Sequence, residues 1–132
     1  QLAERLAALT AACDAAGRNI AELEKALAIS VLVAPDYNAL RRRLRAIIAL
    51  APEVAPGADL QAFVDGASDE LPNAFTETRL VGTPEEVVSQ VRAYVDAGID
   101  HFMLWFMDSP QGDSLELFAE QVLPAFAEEG LR

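Results

Sequence analysis

Side chains that could do chemistry gather at the end of one apolar run. Residues 101–107 have the sequence HFMLWFM, which is apolar at nearly every position. Trp105 and Asp108 lie at or near its carboxyl end. Trp105 could form a wall of a binding pocket, and Asp108 could accept a hydrogen bond or begin the next loop. The alternatives are an aromatic core residue and a turn aspartate, because such residues often only pack or cap.

A second apolar run adds another candidate pocket residue. Residues 26–34 have the sequence ALAISVLVA and end before Pro35 and Asp36, which predicts a second buried strand. Ser30 lies in the middle of the run and could face the interior of a barrel, although a core filler is the alternative. Asp36 could line the rim of a site, but its position also predicts the N-cap of a helix over residues 37–50.

The other reactive side chains indicate structural roles. His101 is the only histidine, and it begins its strand. Barrel sites lie at the carboxyl ends of strands, so we predict that it is structural. Cys13 is the only cysteine, which excludes an internal disulfide and a cysteine-based metal cluster. It is expected to pack as a small hydrophobe. We assign no catalytic residue and no metal site, and the sequence contains no nucleophile triad or nucleotide-binding fingerprint.

Composition excludes several classes of partner. The chain is 52% hydrophobic and 23% charged, as in a globular domain, and its 21 acidic and 10 basic residues give a net charge of -11. Nucleic acids and anionic membranes need clustered basic residues, so we predict neither partner. The one basic run, Arg41 to Arg43 with Arg45, is interpreted as the solvated face of a helix. A phosphate or acidic-partner site is the alternative.

The chain shows no sign of membrane insertion or export. No apolar run approaches the ~18 residues of a membrane span, and the N-terminal sequence lacks a signal-peptide pattern. A single cysteine fits a reducing compartment, so a cytoplasmic location is expected. Because Gln1 is not an initiator residue, we expect either processing or a piece of a longer protein.

One helix positions the 101–107 run. Thr83, Pro84 and Glu86 have the pattern of a capping box with proline at the first helical position, which predicts the start of a helix. Apolar residues at spacings of three and four give this helix a buried face, and Gly98 predicts its end. The run that follows is apolar on both faces. We therefore expect both faces of that strand to be covered, as in a parallel α/β sheet.

The order of elements predicts the fold class. A first helix, whose inner face is expected to carry Leu2, Leu6, Leu9 and Cys13, is followed by strand, helix, an irregular excursion at about residues 53–78, short strand, helix, strand and helix. Such alternation predicts an α/β fold with parallel strands. Only two strands are strong, whereas a closed barrel takes ~250 residues. We predict a single domain over residues 1–132 that is the C-terminal part of a (β/α)8 TIM barrel.

Four stretches together support a family assignment. They are residues 13–19 (CDAAGRN), 81–87 (VGTPEEV), 94–102 (YVDAGIDHF) and 117–124 (LFAEQVLP). Their sequence and order resemble the C-terminal part of the bacterial luciferase-like monooxygenases, TIM-barrel oxidoreductases that use reduced flavin or a deazaflavin. The resemblance implies a parent enzyme that uses FMN or a deazaflavin on a small organic substrate.

The resemblance also implies what lies outside the chain. In such enzymes the segments that support the flavin ring and bind its phosphate lie earlier in the barrel, so we expect no cofactor on this chain alone. Exposed sheet edges and faces predict a homo-oligomer. The alternative hypothesis is a free-standing acidic α/β module that binds a protein partner or itself, without catalysis.

Overall fold

The computed structural model describes residues 1–51 and 56–129, without the side chains of the last two. Its helices are α1 (Leu2–Ala15), α2 (Tyr37–Leu50), α3 (Ala58–Val64), α4 (Asn73–Thr76), α5 (Pro84–Asp96) and α6 (Ser114–Gln121). Its strands are β1 (Ala26–Val33), β2 (Arg79–Gly82) and β3 (His101–Phe106), and 3-10 helices cover Ile20–Glu22 and Leu123–Glu129. The predicted excursion holds α3 and α4, and its first three residues lie outside the described part.

The three strands form one parallel sheet with β1 in the middle. The order is β2-β1-β3, which confirms the predicted parallel α/β class. Ala26 to Val31 pair with β3, and Ser30 to Val33 pair with β2. Successive strands of a closed barrel are neighbours, which would put β2 in the middle. Here β1 pairs with β2 along one edge and with β3 along the other, so β2 lies at the outside of the sheet.

This strand order places helices on both faces of the sheet. The chain moves one way across the sheet from β1 to β2 and the opposite way from β2 to β3. Right-handed crossovers then put α2 and α5 on opposite faces. Val31 and Val33 pack with α5 and α6 on what we call the covered face. Leu32 packs with α2 and α3 on the other face, which we call the open face.

The open face is uncovered along β3 as far as Trp105, and one prediction is therefore wrong. Met103 is 49% exposed and Trp105 is 69% exposed, whereas their neighbours on the covered face are half-buried. The 101–107 run was expected to be buried on both sides. In this chain α2 and α3 reach only the carboxyl half of the open face, where Leu32 and Val81 are fully buried.

Helix α1 is the least buried of the long helices. Cys13 is 6% exposed, which confirms the prediction that it packs as a hydrophobe. Leu2 and Leu6 are only half-buried, and Leu9 is 36% exposed, so the predicted inner face is wrong at that position. The main contact of α1 is with the 3-10 helix over Ile20–Glu22. A short partner of this kind cannot cover a whole helix face.

We predict that α2 tolerates the same truncation very differently at two positions. Leu44 is 1% exposed in the core under the open face, whereas Leu50 is 82% exposed. Leu44→Ala should lower the free energy of unfolding by about 2–5 kcal/mol, because it removes buried methyl groups and leaves a cavity. Leu50→Ala should change it by less than about 0.5 kcal/mol. Urea denaturation measures both values, and equal losses would contradict this packing.

Candidate functional site

A crevice lies at the carboxyl end of the sheet, between the segments that follow β1 and β3. The chain leaves β1 toward α2 on the open face, and it leaves β3 toward α6 on the covered face. Ligands of doubly wound sheets bind where neighbouring strands diverge in this way. The crevice has a volume of about 510 Å³. Its lining residues are Ala39, Arg42, Arg43, Ala46, Ile47 and Leu50 of α2, and Met107, Asp108, Ser109, Gln111 and Gly112 of the loop after β3.

Arg43 ties the two walls of the crevice to the end of β1. Its guanidinium donates a hydrogen bond to the carbonyl oxygen of Val33 and forms an ion pair with Asp113. Its Nη1 also lies 3.9 Å from Oδ2 of Asp108. The Arg43 side chain is only 18% exposed, so these interactions are partly shielded from water. Arg43 therefore holds α2 against the loop that follows β3.

Asp108 is a structural centre of that loop. Its side chain is 8% exposed, and its Oδ2 accepts a hydrogen bond of 3.3 Å from the amide of Ser114 at the start of α6. The amide of Gly112 donates to the Asp108 carbonyl oxygen at 2.7 Å. A Cβ atom on Gly112 would clash with the Asp108 side chain, whose own Cβ would lie only 2.6 Å away, so only glycine fits there. The predicted pocket residue thus lines the crevice, and its carboxylate already has protein partners.

Ser114 closes the edge of β1 beyond the last pairing with β3. Its Oγ accepts a hydrogen bond from the amide of Val33 at 3.1 Å and donates one to the Val33 carbonyl at 3.0 Å. The side chain is fully buried, and both of its bonds replace those that a neighbouring strand would make. Ser114 is also the first residue of α6. Asp113 occupies the N-cap position, but its side chain makes no capping hydrogen bond.

A second polar group links the first turns of α2 and α5. The hydroxyl of Tyr37 donates to Oε2 of Glu86 at 2.7 Å, and Thr83 Oγ1 donates to Oε1 at 3.1 Å. Burial, followed by the hydrogen bond to Glu86, raises the pKa of Tyr37 to about 12. Thr83 is the N-cap of α5, but its side chain makes no capping bond. The predicted capping box is therefore wrong in detail, because its two side chains bind each other.

Two of the predicted pocket residues lie together, away from the crevice. Ser30 and Trp105 are paired in register on neighbouring strands, which places both on the open face. Ser30 is half-buried and Trp105 is 69% exposed. Neither residue lines the crevice with Asp108. The three candidates thus divide between two surfaces.

Asp36 and His101 lie where the sequence predicted. Oδ1 of Asp36 accepts a hydrogen bond from the amide of Ala39 at 2.8 Å, which confirms the predicted N-cap of α2. His101 lies at the amino-terminal end of β3, and its Nδ1 is 3.2 Å from Oε1 of Glu24. This position is opposite to the crevice.

The arginine run is not simply a solvated face. Arg41 donates from Nε to the Phe63 carbonyl at 2.9 Å, and Arg45 donates to the Val64 carbonyl at 2.8 Å. Arg43 is the clamp described above. The sequence held a signal for Arg43, because position 43 falls on the buried stripe of Leu40, Leu44 and Ile47. Sequence reasoning also missed Tyr37 and Glu86 as a linked pair, since nothing local relates positions 49 residues apart.

The described residues contain neither a metal-binding group nor a membrane-spanning helix. Residues 1–51 and 56–127 contain no group of three or more His, Cys, Asp or Glu side chains placed to hold a metal ion. Within the same ranges, no helix has both the length and the apolar character needed to cross a bilayer.

Comparison with known sequences identifies a family and its relatives. The family model described as luciferase-like monooxygenase matches residues 1–101. The chain is 29% identical over 121 residues to F420-dependent glucose-6-phosphate dehydrogenase 1 of Rhodococcus jostii, with 89% of this chain and 36% of that protein covered. It is 30% identical over 113 residues to the F420-dependent glucose-6-phosphate dehydrogenase of Rhodococcus erythropolis, with 83% and 34% covered. The chain thus spans about a third of these relatives.

Solved structures give the same relationship. An F420-dependent secondary alcohol dehydrogenase in complex with an F420-acetone adduct is 26% identical, with a TM-score of 0.54, and covers 86% of this chain and 35% of its own. A riboflavin lyase with modified FMN and riboflavin is 23% identical, with a TM-score of 0.62. The match covers 98% of this chain and 36% of the lyase chain. These neighbours are luciferase-like TIM-barrel enzymes, so they confirm the predicted fold class.

We predict that two adjacent arginines differ in their contribution to stability. Arg43→Gln should lower the free energy of unfolding by about 1–3 kcal/mol, because it leaves the poorly exposed Asp108 without its cation and removes a donor from Val33. Arg42→Gln is the matched control, since Arg42 makes no hydrogen bond or ion pair with the described residues; it should change stability by less than about 0.5 kcal/mol. Chemical denaturation measures the free energy of unfolding of both variants. Equal losses in the two variants would contradict the role of Arg43 as a clamp.

We also predict an alkaline effect from Tyr37. The folded chain keeps the Tyr37 proton where the unfolded chain, with a pKa of about 10, has lost it. Its contribution to stability is therefore full below about pH 10 and is lost as the pH rises through about 12. In a Tyr94→Phe background, where Tyr37 is the only remaining tyrosine, absorbance titration should give this raised pKa, and Glu86→Gln should lower it. A titration midpoint near pH 10 in the Tyr94→Phe protein, before Glu86 is changed, would contradict the contact between Tyr37 and Glu86.

Proposed function

Because the chain belongs to the luciferase-like monooxygenase family, we propose that it is the C-terminal part of a flavin- or deazaflavin-dependent oxidoreductase acting on a small organic substrate. The observation that carries the proposal is the open face. A parallel sheet with Trp105 and Met103 in water lacks the cover that such sheets normally have. The relatives are about two and a half times as long as this chain, and their remaining length could supply that cover.

The names of the relatives favour a deazaflavin. The two Rhodococcus enzymes and the 26% identical alcohol dehydrogenase are described as F420-dependent. We therefore propose an F420-type deazaflavin for the parent, with FMN as the alternative. Such a cofactor supplies hydride transfer, and the protein positions the reacting atoms and excludes water. A cytoplasmic location belongs to the same proposal, since the free Cys13 thiol fits a reducing compartment.

The residues of the open face fit one wall of a cofactor or substrate pocket. Trp105 presents an exposed aromatic ring, and its register partner Ser30 is a small polar residue. Ala28, which pairs with Met103, is smaller still and leaves room above the sheet. A flat ring system could stack on such a surface. One wall does not enclose a ligand, so we expect no cofactor on the isolated chain.

We assign no general acid or base to this chain. The indole of Trp105 does not titrate, and the Asp108 carboxylate already accepts a hydrogen bond from Ser114 and faces Arg43. Asp108 would instead set the shape of the loop after β3. The groups that transfer protons would then come from the remaining part of the barrel.

A second candidate is a homo-oligomer without catalysis. The observations that favour it are the apolar open face and the outer edge of β3, which pairs with no strand of the described chain. Exposed strand edges pair readily with other chains. The isolated chain should associate under either candidate, so sedimentation velocity of the protein extended upstream separates them. Loss of the open-face dimer on extension supports the incomplete barrel, and a dimer that persists without cofactor binding supports self-association.

We predict that cofactor binding requires more than this chain. The purified chain should show no flavin or deazaflavin absorbance. Tight stoichiometric binding of either cofactor to this chain would contradict the proposal. A protein extended upstream along its reading frame to the length of the relatives should bind the cofactor. In that protein Trp105→Ala should weaken cofactor binding or lower kcat/KM by about tenfold, since one stacked aromatic contributes roughly 0.5–1.5 kcal/mol beyond its area. His101→Gln, at the far end of β3, is the matched control.

A further inference from the structure

The crevice at the carboxyl end of the sheet has the size and walls of a small-molecule site. Its volume of about 510 Å³ lies within the ~300–1,000 Å³ of typical ligand pockets. Ile47, Leu50 and Met107 give it apolar walls, and the side chain of Leu50 is largely exposed to the water that a ligand would displace. An apolar body would therefore gain by entering the crevice.

The charges that line the crevice differ in whether they have partners. Arg43 and Asp108 lie 3.9 Å apart, and Arg43 also contacts Val33 and Asp113. The charges of Arg43 and Asp108 therefore already have protein partners. Arg42 is exposed at the rim. No described residue is within hydrogen-bond or ion-pair distance of it. Arg42 is thus the one lining charge without a counter-ion in the described chain.

From this arrangement we propose that the crevice binds a small amphipathic organic anion. Its carboxylate or phosphate would pair with the Arg42 guanidinium, whose planar donors suit both groups. Its apolar body would pack on Ile47, Leu50 and Met107. The strand arrangement supports this location, because β1 and β3 are the neighbouring strands whose connections leave on opposite faces.

This inference goes beyond the proposed function and concerns the chain on its own, because the crevice forms where β1 lies between β2 and β3, an order that a closed barrel does not have. The crevice is built by α2 and the loop after β3, both within this chain, whereas the proposed cofactor wall lies on the open face. Failure of one leaves the other standing. The overall charge of -11 opposes anion binding at long range, so the local pairing at Arg42 must supply the selectivity.

The test uses n-octyl phosphate as the probe and the isolated chain labelled with ¹⁵N. We expect saturable amide shifts in the second half of α2 and in residues 107–112. Ethyl phosphate, which lacks the apolar body, and octyltrimethylammonium, which has the opposite charge, should each bind at least about tenfold more weakly. Shifts centred on Met103 and Trp105 would instead indicate adsorption to the open face and would overturn the proposal. Absence of saturable shifts would overturn it as well.

Two exposed positions make the test specific. Arg42→Gln should weaken octyl phosphate binding about five- to tenfold, as expected for a hydrogen-bonded charge pair near the surface. Arg18→Gln removes the same charge from an exposed position in the turn after α1 and should leave binding unchanged. Leu50→Gln should weaken the octyl ester and leave ethyl phosphate unchanged. Equal weakening by Arg42→Gln and Arg18→Gln would assign the effect to net charge and contradict the site.

Discussion

The carboxyl half of β1 is the constraint on which the other elements depend. Val31, Leu32 and Val33 are fully buried, so both faces of this segment must be covered. Burial of three such side chains contributes about 1.5–3 kcal/mol each. Both edges of the segment are also paired, by β2 on one side and by β3 and then Ser114 on the other. The carbonyl oxygen of Val33 accepts from Ser114 and from Arg43, so both of its lone pairs are used.

The central position of β1 determines both candidate surfaces. Because β2 and β3 lie on opposite sides of β1, the connecting helices lie on opposite faces of the sheet. The segments that follow β1 and β3 therefore diverge at the carboxyl end and leave the crevice between them. The same arrangement uses α2 and α3 to cover only one end of the open face. Trp105 and Met103 therefore stay in water. The crevice and the open face are two consequences of one strand order.

The two surfaces differ in what they need in order to function. The open face offers an aromatic ring and small neighbours, but it has no opposite wall within the described chain. Its proposed role belongs to a barrel about two and a half times as long, as in the F420-dependent relatives. The crevice has two walls of its own, held together by Arg43 across α2 and the loop after β3. This part of a luciferase-like protein thus carries one surface that is incomplete on its own, the open face, and one complete cavity, the crevice.

The sequence by itself determined the local elements and the family. The valines and Gly98 around α5, the apolar run of β1 and the aspartate before α2 each act through neighbours within a few residues, so these elements were predictable. The family motifs could be read for the same reason. The 101–107 run was wrongly predicted to be buried on both faces. Its hydrophobicity shows only that the strand is suited to burial, whereas actual burial depends on which other segments are present to pack against it.

Only the tertiary structure decided which residues meet. The strand order β2-β1-β3 rests on long-range pairing between β1 and β3, which begin 75 residues apart. The contacts of Tyr37 with Glu86 and of Ser114 with Val33 span 49 and 81 residues. Side-chain types along the chain carry little information about such pairs, because each side chain has many possible partners of equal chemistry. The packed sheet selects one of them, and in doing so it turned an arginine from an apparently solvated run into the clamp of the crevice.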